Sequence, residues 1–422
     1  MTDRDALLRA IIDHPDEDTP RLVFADWLDE HADALPDPAG ARAHARFVRD
    51  DIARSRLDEF DPLRLRWELV DKPRREREPW ANAALPRLPS GTMFARDPLF
   101  RRGFPWAVTM HSAARTLPDP PVGAFPLERL YYLLCGYFGI DQLRAAPWRG
   151  RLRAVEFERG NTSSIGPRRL LAVDGLDRLE RLAFRRDAIG AAEARELIAA
   201  PLFGRLSALT VTAAPVGAAV AEGVACLGPT GLRELQLVDC RVTPAALEEL
   251  LRSPGAGKLE SLSVGGDRIG APEKFRALGR VRTPPPLRSL DVSEDSPKDA
   301  GLEAFLAAPL VTGLRRLALA RCTLNSGRAR LIASGAFAEL RALDLSHNAI
   351  GNEGAAALAR SPHLAGLLVL DLGYSQVGDE GILAILESPL ADGLVLLDLT
   401  GSPASAETKE LVVGRMGDRA RV

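Results

Sequence analysis

The sequence predicts an α/β fold: a solenoid of stacked repeats, with a parallel sheet on one side and helices on the other, preceded by a small all-α module. Three observations lead there. Leucines that open similar segments recur at Leu152, Leu179, Leu206, Leu232, Leu259, Leu287, Leu314, Leu340, Leu367 and Leu394, at a nearly constant spacing of about 27 residues. Each opens an L-x-x-L-x-L stretch followed by a polar bend and an alanine- and leucine-rich run, as in LRELQLVDCRVTPAALEELL, LRALDLSHNAIGNEGAAALA and LLVLDLGYSQVGDEGILAIL. The residues before about position 60 lack this period and carry helical apolar stripes instead.

Within a unit, the L-x-L segment alternates with period two and reads as a short strand with one inward face. The second half, for example Ala355 to Ala359, has helical spacing. A degenerate earlier unit opens at Leu127 with LERLYYLL. One unit alone buries too few apolar side chains to offset the entropy of ordering its backbone, so units must stack and the ends need caps. The pattern resembles the ribonuclease-inhibitor-like class of leucine-rich repeats, most specifically in the bends IGNEG at 350–354 and VGDEG at 377–381. That resemblance implies a horseshoe, with the parallel sheet concave and the helices convex.

The N-terminal segment is read helix by helix. DRDALLRAIIDHP places Leu7, Leu8, Ile11 and Ile12 on one face and stops at Pro15. A second helix has Thr19 as N-cap, Pro20 at its first position, and a stripe of Phe24, Trp27 and Leu28. A third, around Ala41 to Leu57, offers Phe47, Val48 and Ile52. LLRAIIDHPDEDTPRLVFADWLDEH with RFVR at 46–49 resembles the bacterial repeat-companion domain, over residues 5–57. DALPDPAGARAHA is longer than that family's usual Gly-Asp-Pro connection, and the resemblance carries no catalytic residue.

The expected organisation is a helical module at 1–60, a Pro- and Arg-rich connector and N-terminal cap at 61–125, repeats at 126–404, and a capping helix and tail at 405–422. Within the connector, LFRRGFPWAVTMH has strand character; at the C-terminus Leu411, Val412 and Met416 are expected to face inward. A cut after residue 60 is expected to leave a folded array.

Composition bounds the function. Net charge is −2, and of 55 basic residues only five are lysine. Residues 1–60 carry 15 acids against 8 bases, 61–125 carry 7 against 11, and the remainder 35 against 36. No concentrated basic face suits nucleic acid, and no apolar run is long enough to span a bilayer. The four cysteines, at 135, 226, 240 and 322, form no CxxC pair, so a reducing, cytoplasmic setting is expected. SPGAGKLES at 253–261 imitates a phosphate loop, but Arg252 stands where its first glycine belongs and Lys258 precedes a strand, so it reads as a turn.

The stretch richest in chemistry is Asp344, His347 and Asn348. Asn348 follows the last strand leucine by three residues, where such repeats place a side chain that bonds backbone groups. Its column contains Asp187, Cys240, Asp267, Asp295, Cys322 and Ser375, so a structural ladder is favoured over catalysis. Asp344, Asp371 and Asp398 sit between strand leucines and point to the concave face, where solvated carboxylates are ordinary. His347 is followed by Tyr374 and preceded by Arg321 in its own column, a row that reads either as plain surface or as a contact. Asp26, Asp29, Glu30 and His31 lack a recognised metal-ligand spacing.

The sequence therefore points to a non-enzymatic scaffold that binds a protein on the concave face, with no cofactor and no nucleic-acid or membrane partner. The expected contact residues are Arg316, Arg321, Asp344, His347, Asp371 and Tyr374 at one end and Arg181, Arg185 and Arg186 at the other. Ala208, Ser261 and Ser263 leave the middle open. The alternatives are a regulator of an enzyme, such as a GTPase-activating type, or an enzyme with an unrecognised site.

Overall fold

The computed structural model describes residues 2–84, 92–94, 100–111, 126–133, 138–158, 167–186, 189–267 and 271–422. The chain divides into two compact units, Met1–Ala183 and Phe184–Val422.

In the first unit, helices α1 (Asp3–Asp13), α2 (Thr19–Glu30) and α3 (Pro38–Ser55) form the N-terminal bundle. Thr2 caps α1 through a capping box with Asp5. Thr19 lies inside α2 rather than capping it; Asp18 occupies the N-cap position. The third helix starts earlier than its apolar pattern indicates, because Asp37 accepts from the Gly40 N–H at 2.9 Å and Pro38 suits the first turn. Ile11, Phe24, Leu28, Val48 and Ile52 are buried together, and Phe104 joins them from outside the bundle. On its other side α3 sends Phe47 into a second cluster with Trp67, Trp80 and Phe100.

Asp51 ties these layers together. It is buried and accepts from the Trp67 indole at 2.9 Å, from Lys72 at 2.9 Å and from the Gly103 N–H at 3.1 Å. Gly103 has φ +82°, and a Cβ there would meet the Val48 backbone at 2.8 Å, so the hairpin Phe100–Arg101/Phe104–Pro105 can lie against α3 only with glycine at its turn. The α1–α2 loop is held by arginines: Asp16 pairs with Arg153 and Arg178, and Asp18 with Arg56. Ala107–His111, Arg129–Leu133 and Ala154–Glu158 form successive parallel strands, with Thr92–Phe94 antiparallel on the outer edge. The degenerate unit at Leu127 thus supplies a regular strand.

In the second unit, strands Ala208–Thr212, Glu234–Val238, Ser261–Ser263, Ser289–Asp291, Arg316–Ala318, Ala342–Asp344, Val369–Asp371, Leu396–Asp398 and Ala420–Arg421 follow one another in parallel. Leu262, Leu290, Leu317, Leu343, Leu370 and Leu397 are aligned in register and buried, which fixes the register because a one-residue slip would turn this row to solvent. A helix follows most strands, among them Pro244–Arg252, Ala271–Arg280, Gly351–Ala359 and Asp379–Leu386. The chain is an α/β leucine-rich-repeat solenoid with an N-terminal helical region.

At the C-terminus, Ser405 caps helix Ala406–Met416. Val412 and Met416 are buried as expected, but Leu411 is 50% exposed. Adjacent helical positions cannot both face the core, and Val412 takes that direction. The tail then adds the strand Ala420–Arg421 instead of leaving as a solvated extension. Among the described residues no helix is long and apolar enough to cross a membrane.

Candidate functional site

Among the described residues, the units from the strand Arg181–Arg185 onward leave their strands through one residue in the left-handed backbone region. Arg186, Ala213, Asp239, Gly266, Glu294, Arg321, His347, Tyr374 and Gly401 all have φ between +52° and +87°. The bend lets the backbone N–H at this column continue the inter-unit ladder: Arg321 donates to Ser346 O at 3.0 Å, His347 to Gly373 O at 2.8 Å and Tyr374 to Thr400 O at 2.7 Å. It also turns the following residue into the core.

That following residue is the ladder group. Asn348 accepts from the Leu324 N–H at 2.9 Å and donates through Nδ2 to Leu319 O and Leu345 O, each at 2.9 Å, and to Ser346 O at 3.1 Å. Ser375 donates to Leu345 O at 2.8 Å, and Cys322 to Val292 O at 3.4 Å. Cys240 donates to Val211 O and Val238 O, each at 3.2 Å. Burial pushes both the Cys240 and Cys322 thiols up to about 12, so they stay protonated and act as weak donors. Asn348 is therefore a backbone tie. Asp187, assigned to the same column, lies outside the described residues.

Asp267 and Asp295 in this column do something the sequence reading did not foresee. Lys274 is fully buried, and its ammonium meets Asp267 Oδ2, Asp295 Oδ2 and Val264 O, each at 2.7 Å. Three donors find three acceptors, and Asp267 also accepts from the Arg241 and Val242 N–H groups at 2.6 and 2.9 Å. A lysine on the inward stripe of Ala271, Phe275 and Leu278, opposite acids in two consecutive units of the column, was the available signal.

The strand aspartates are half-buried, and one oxygen of each is fixed by its own chain. Asp344 accepts from Ser346 N, Asp371 from Gly373 N and Asp398 from Thr400 N, each at 2.9 Å. Burial, with Asp344 and Asp398 on either side, pushes the Asp371 carboxyl up to about 6, against the Gly373 hydrogen bond and Arg421.

At the strand exits, Arg321 and His347 are exposed and Tyr374 is 55% exposed. The His347 and Tyr374 rings stack, and the Tyr374 ring passes so close to Gly401 that a Cβ there would lie 2.5 Å from it. Arg316 is exposed on its strand. Arg181 and Arg186 are exposed and Arg185 is half-buried. Arg185 and Arg186 are separated from Arg316 by the strands starting at Ala208, Glu234, Ser261 and Ser289, so they do not join its surface. Of the small residues between, Ser263 is buried and donates to Asp291 at 3.1 Å.

Among the described residues no group of three His, Cys, Asp or Glu side chains could hold a metal ion. The Asp26 and Asp29 carboxylates instead clasp Arg49, at 2.7 and 2.6 Å, and His31 stacks on Trp27. The phosphate-loop imitation forms a short turn at Pro254–Ala256.

Residues 340–359 and 367–386 match the family model described as Leucine Rich repeat. No curated protein matches the chain. Among solved structures, a chain of the Rad7 and Elc1 complex in yeast is similar at 14% identity, over 67% of this chain and 78% of that one, with a TM-score of 0.47. An internalin from Listeria monocytogenes is similar at 13% identity, over 75% and 86%, with a TM-score of 0.36. A chain of the TLR13–ssRNA13 complex is similar at 17% identity, over 72% and 43%, with a TM-score of 0.41. The in-register leucine rows and the buried side-chain ladder continue the pattern of the two matched leucine-rich repeats along the second unit.

Proposed function

We propose that the chain is a non-enzymatic scaffold that binds a protein partner on the sheet face and strand exits of the units opening at Leu314, Leu340 and Leu367. The observation that supports this reading is the exposed His347–Tyr374 stack beside Arg321. The ladder uses only the backbone of these three residues, so the fold does not account for their side chains. Tyrosine and arginine are the residues that most often dominate protein interfaces. The buried cysteines, held protonated, are poor nucleophiles. Capture of a partner by the full chain, repeated with Tyr374→Ala and Arg321→Ala, tests the reading. Each variant is expected to weaken binding by roughly tenfold or more; unchanged affinity in both would move the interface to the helices or the N-terminal bundle.

A further inference from the structure

On the sheet face, Asp344, Asp371 and Asp398 are direct partners across three adjacent strands. Arg421 ends the row: the short parallel strand Ala420–Arg421 brings its guanidinium to 3.4 Å from Asp398. The chain itself thus lays an arginine, carried on extended backbone, against the last carboxylate. Among the described residues no basic group forms an ion pair with Asp344 or Asp371.

Beside these two carboxylates stands the aromatic ledge. Tyr374 leaves the same strand that carries Asp371, and His347 the one that carries Asp344, so ledge and carboxylates belong to the same two units. A long cationic side chain suits this pairing, since its apolar stem packs on ring edges while its head group reaches a carboxylate. On the N-terminal side Ala318 interrupts the row of carboxylates, and Arg321 stands at that strand's exit.

We propose that the face from Asp344 to Tyr374 docks an extended basic segment of the protein partner, whose arginine or lysine stem lies on the His347–Tyr374 ledge and whose head group meets Asp371 and Asp344. This inference rests on the protein-binding reading above and adds the chemistry of what is bound. Arg321 bounds the site on its N-terminal side, so the basic segment runs from the unit at Leu340 toward the C-terminus. Arg421 shows the geometry by which the row receives a guanidinium. A cation here favours the ionised Asp371, whose surroundings are Asp344 and Asp398 on the neighbouring strands, Arg421 beyond, and His347 and Tyr374 at the exits. Binding therefore weakens as pH falls below about 6.

The test is fluorescence anisotropy with the full chain near neutral pH, using a short labelled peptide of alternating arginine and serine and its glutamate–serine counterpart. The basic peptide is expected to bind saturably and the acidic one not. Tyr374→Ala, Asp371→Asn and Asp344→Asn should each weaken binding by roughly tenfold or more, and Arg321→Ala should strengthen it or leave it unchanged. The asparagines retain the oxygen that accepts from the backbone, and a single cooperative unfolding transition shows that each variant is folded. Tighter binding of the acidic peptide, no saturable basic binding, or indifference to Tyr374→Ala and Asp371→Asn overturns the proposal. A partner lost on Tyr374→Ala and Arg321→Ala but indifferent to both asparagine variants removes this inference and leaves the protein-binding reading. A partner indifferent to all four removes both.

Discussion

The imidazole of His347 lies flat on the phenol ring of Tyr374, with centroids 4.7 Å apart and planes within 10° of parallel. The two residues are one repeat apart, so the stack follows from the stacking of units and costs the core nothing. Replacing either by alanine is expected to lower stability by at most about 1 kcal/mol, the usual worth of an aromatic pair beyond its burial. Urea unfolding of His347→Ala and Tyr374→Ala measures this; a loss several times larger would make the stack structural.

Asn348→Ala is expected to behave oppositely. It strands the Leu324 N–H and removes the donor to Leu319 O and Leu345 O, at a cost of about 1 to 3 kcal/mol. Partner affinity of the folded protein should be unchanged. Asn348→Ser should recover part of the loss, because Ser375 shows how a hydroxyl serves this column. A thermally neutral Asn348→Ala would refute the ladder role.

Lys274→Ala leaves Asp267 and Asp295 buried without their cation, and is expected to cost about 3 to 5 kcal/mol. Replacing Asp295 as well should recover part of it. Chemical denaturation of the single and double variants decides: additive losses would mean that the three groups are not coupled.

The repeat period, the strand row and the ladder were legible in the sequence because each recurs at fixed spacing: Leu343, Asp344 and Asn348 are read by comparison with Leu370, Asp371 and Ser375. Lys274 was hidden because it occurs in one unit only, so no column exposes it. The His347–Tyr374 pair was legible as a row of neighbours, though not as a stack, since ring orientation depends on the left-handed exits. Leu411 was misread because its helix departs from the repeat pattern, so no column of equivalent positions fixes its phase. The stretch around Phe100 and Phe104 was legible as strand, but not the burial of both rings against α3, because no spacing in the sequence pairs the hairpin with that helix.

Acid should affect the two units in opposite senses. Burial lowers His44 to about 4 from an ordinary value of 6.5, so its folded form stays neutral; the stability it carries is present above 6.5 and lost as pH falls toward 4, up to about 3 kcal/mol. Asp371 is raised to about 6, so its contribution is full below 3.8 and lost as pH rises through 6. Asp371→Asn is thus expected to stabilise near neutral pH by about 1 to 2 kcal/mol, after allowance for its partial exposure. His44→Phe should flatten the acid limb of the pH–stability curve and Asp371→Asn its neutral limb; a curve that neither changes would refute both assignments.

Where the sequence alone suggests a separable module, Phe47 stands among Trp67, Trp80 and Phe100, and Asp51 holds Trp67, Lys72 and Gly103. Deleting residues 1–60 is therefore expected to abolish the cooperative transition of the first unit and to expose its aromatic cluster, seen as dye binding and aggregation. A sharp transition in the shortened chain would show that this cluster is dispensable.

The left-handed strand exits divide labour between consecutive residues: one faces solvent while the next secures the turn. A side chain at 321, 347 or 374 can thus be exchanged without touching the group that fastens the backbone, provided the newcomer tolerates the left-handed bend. Asparagine, aspartate and glycine do so most readily. Retargeting such an array becomes a matter of rewriting one letter per turn of the coil, and the range of surfaces it can present is set by which amino acids accept that single torsion.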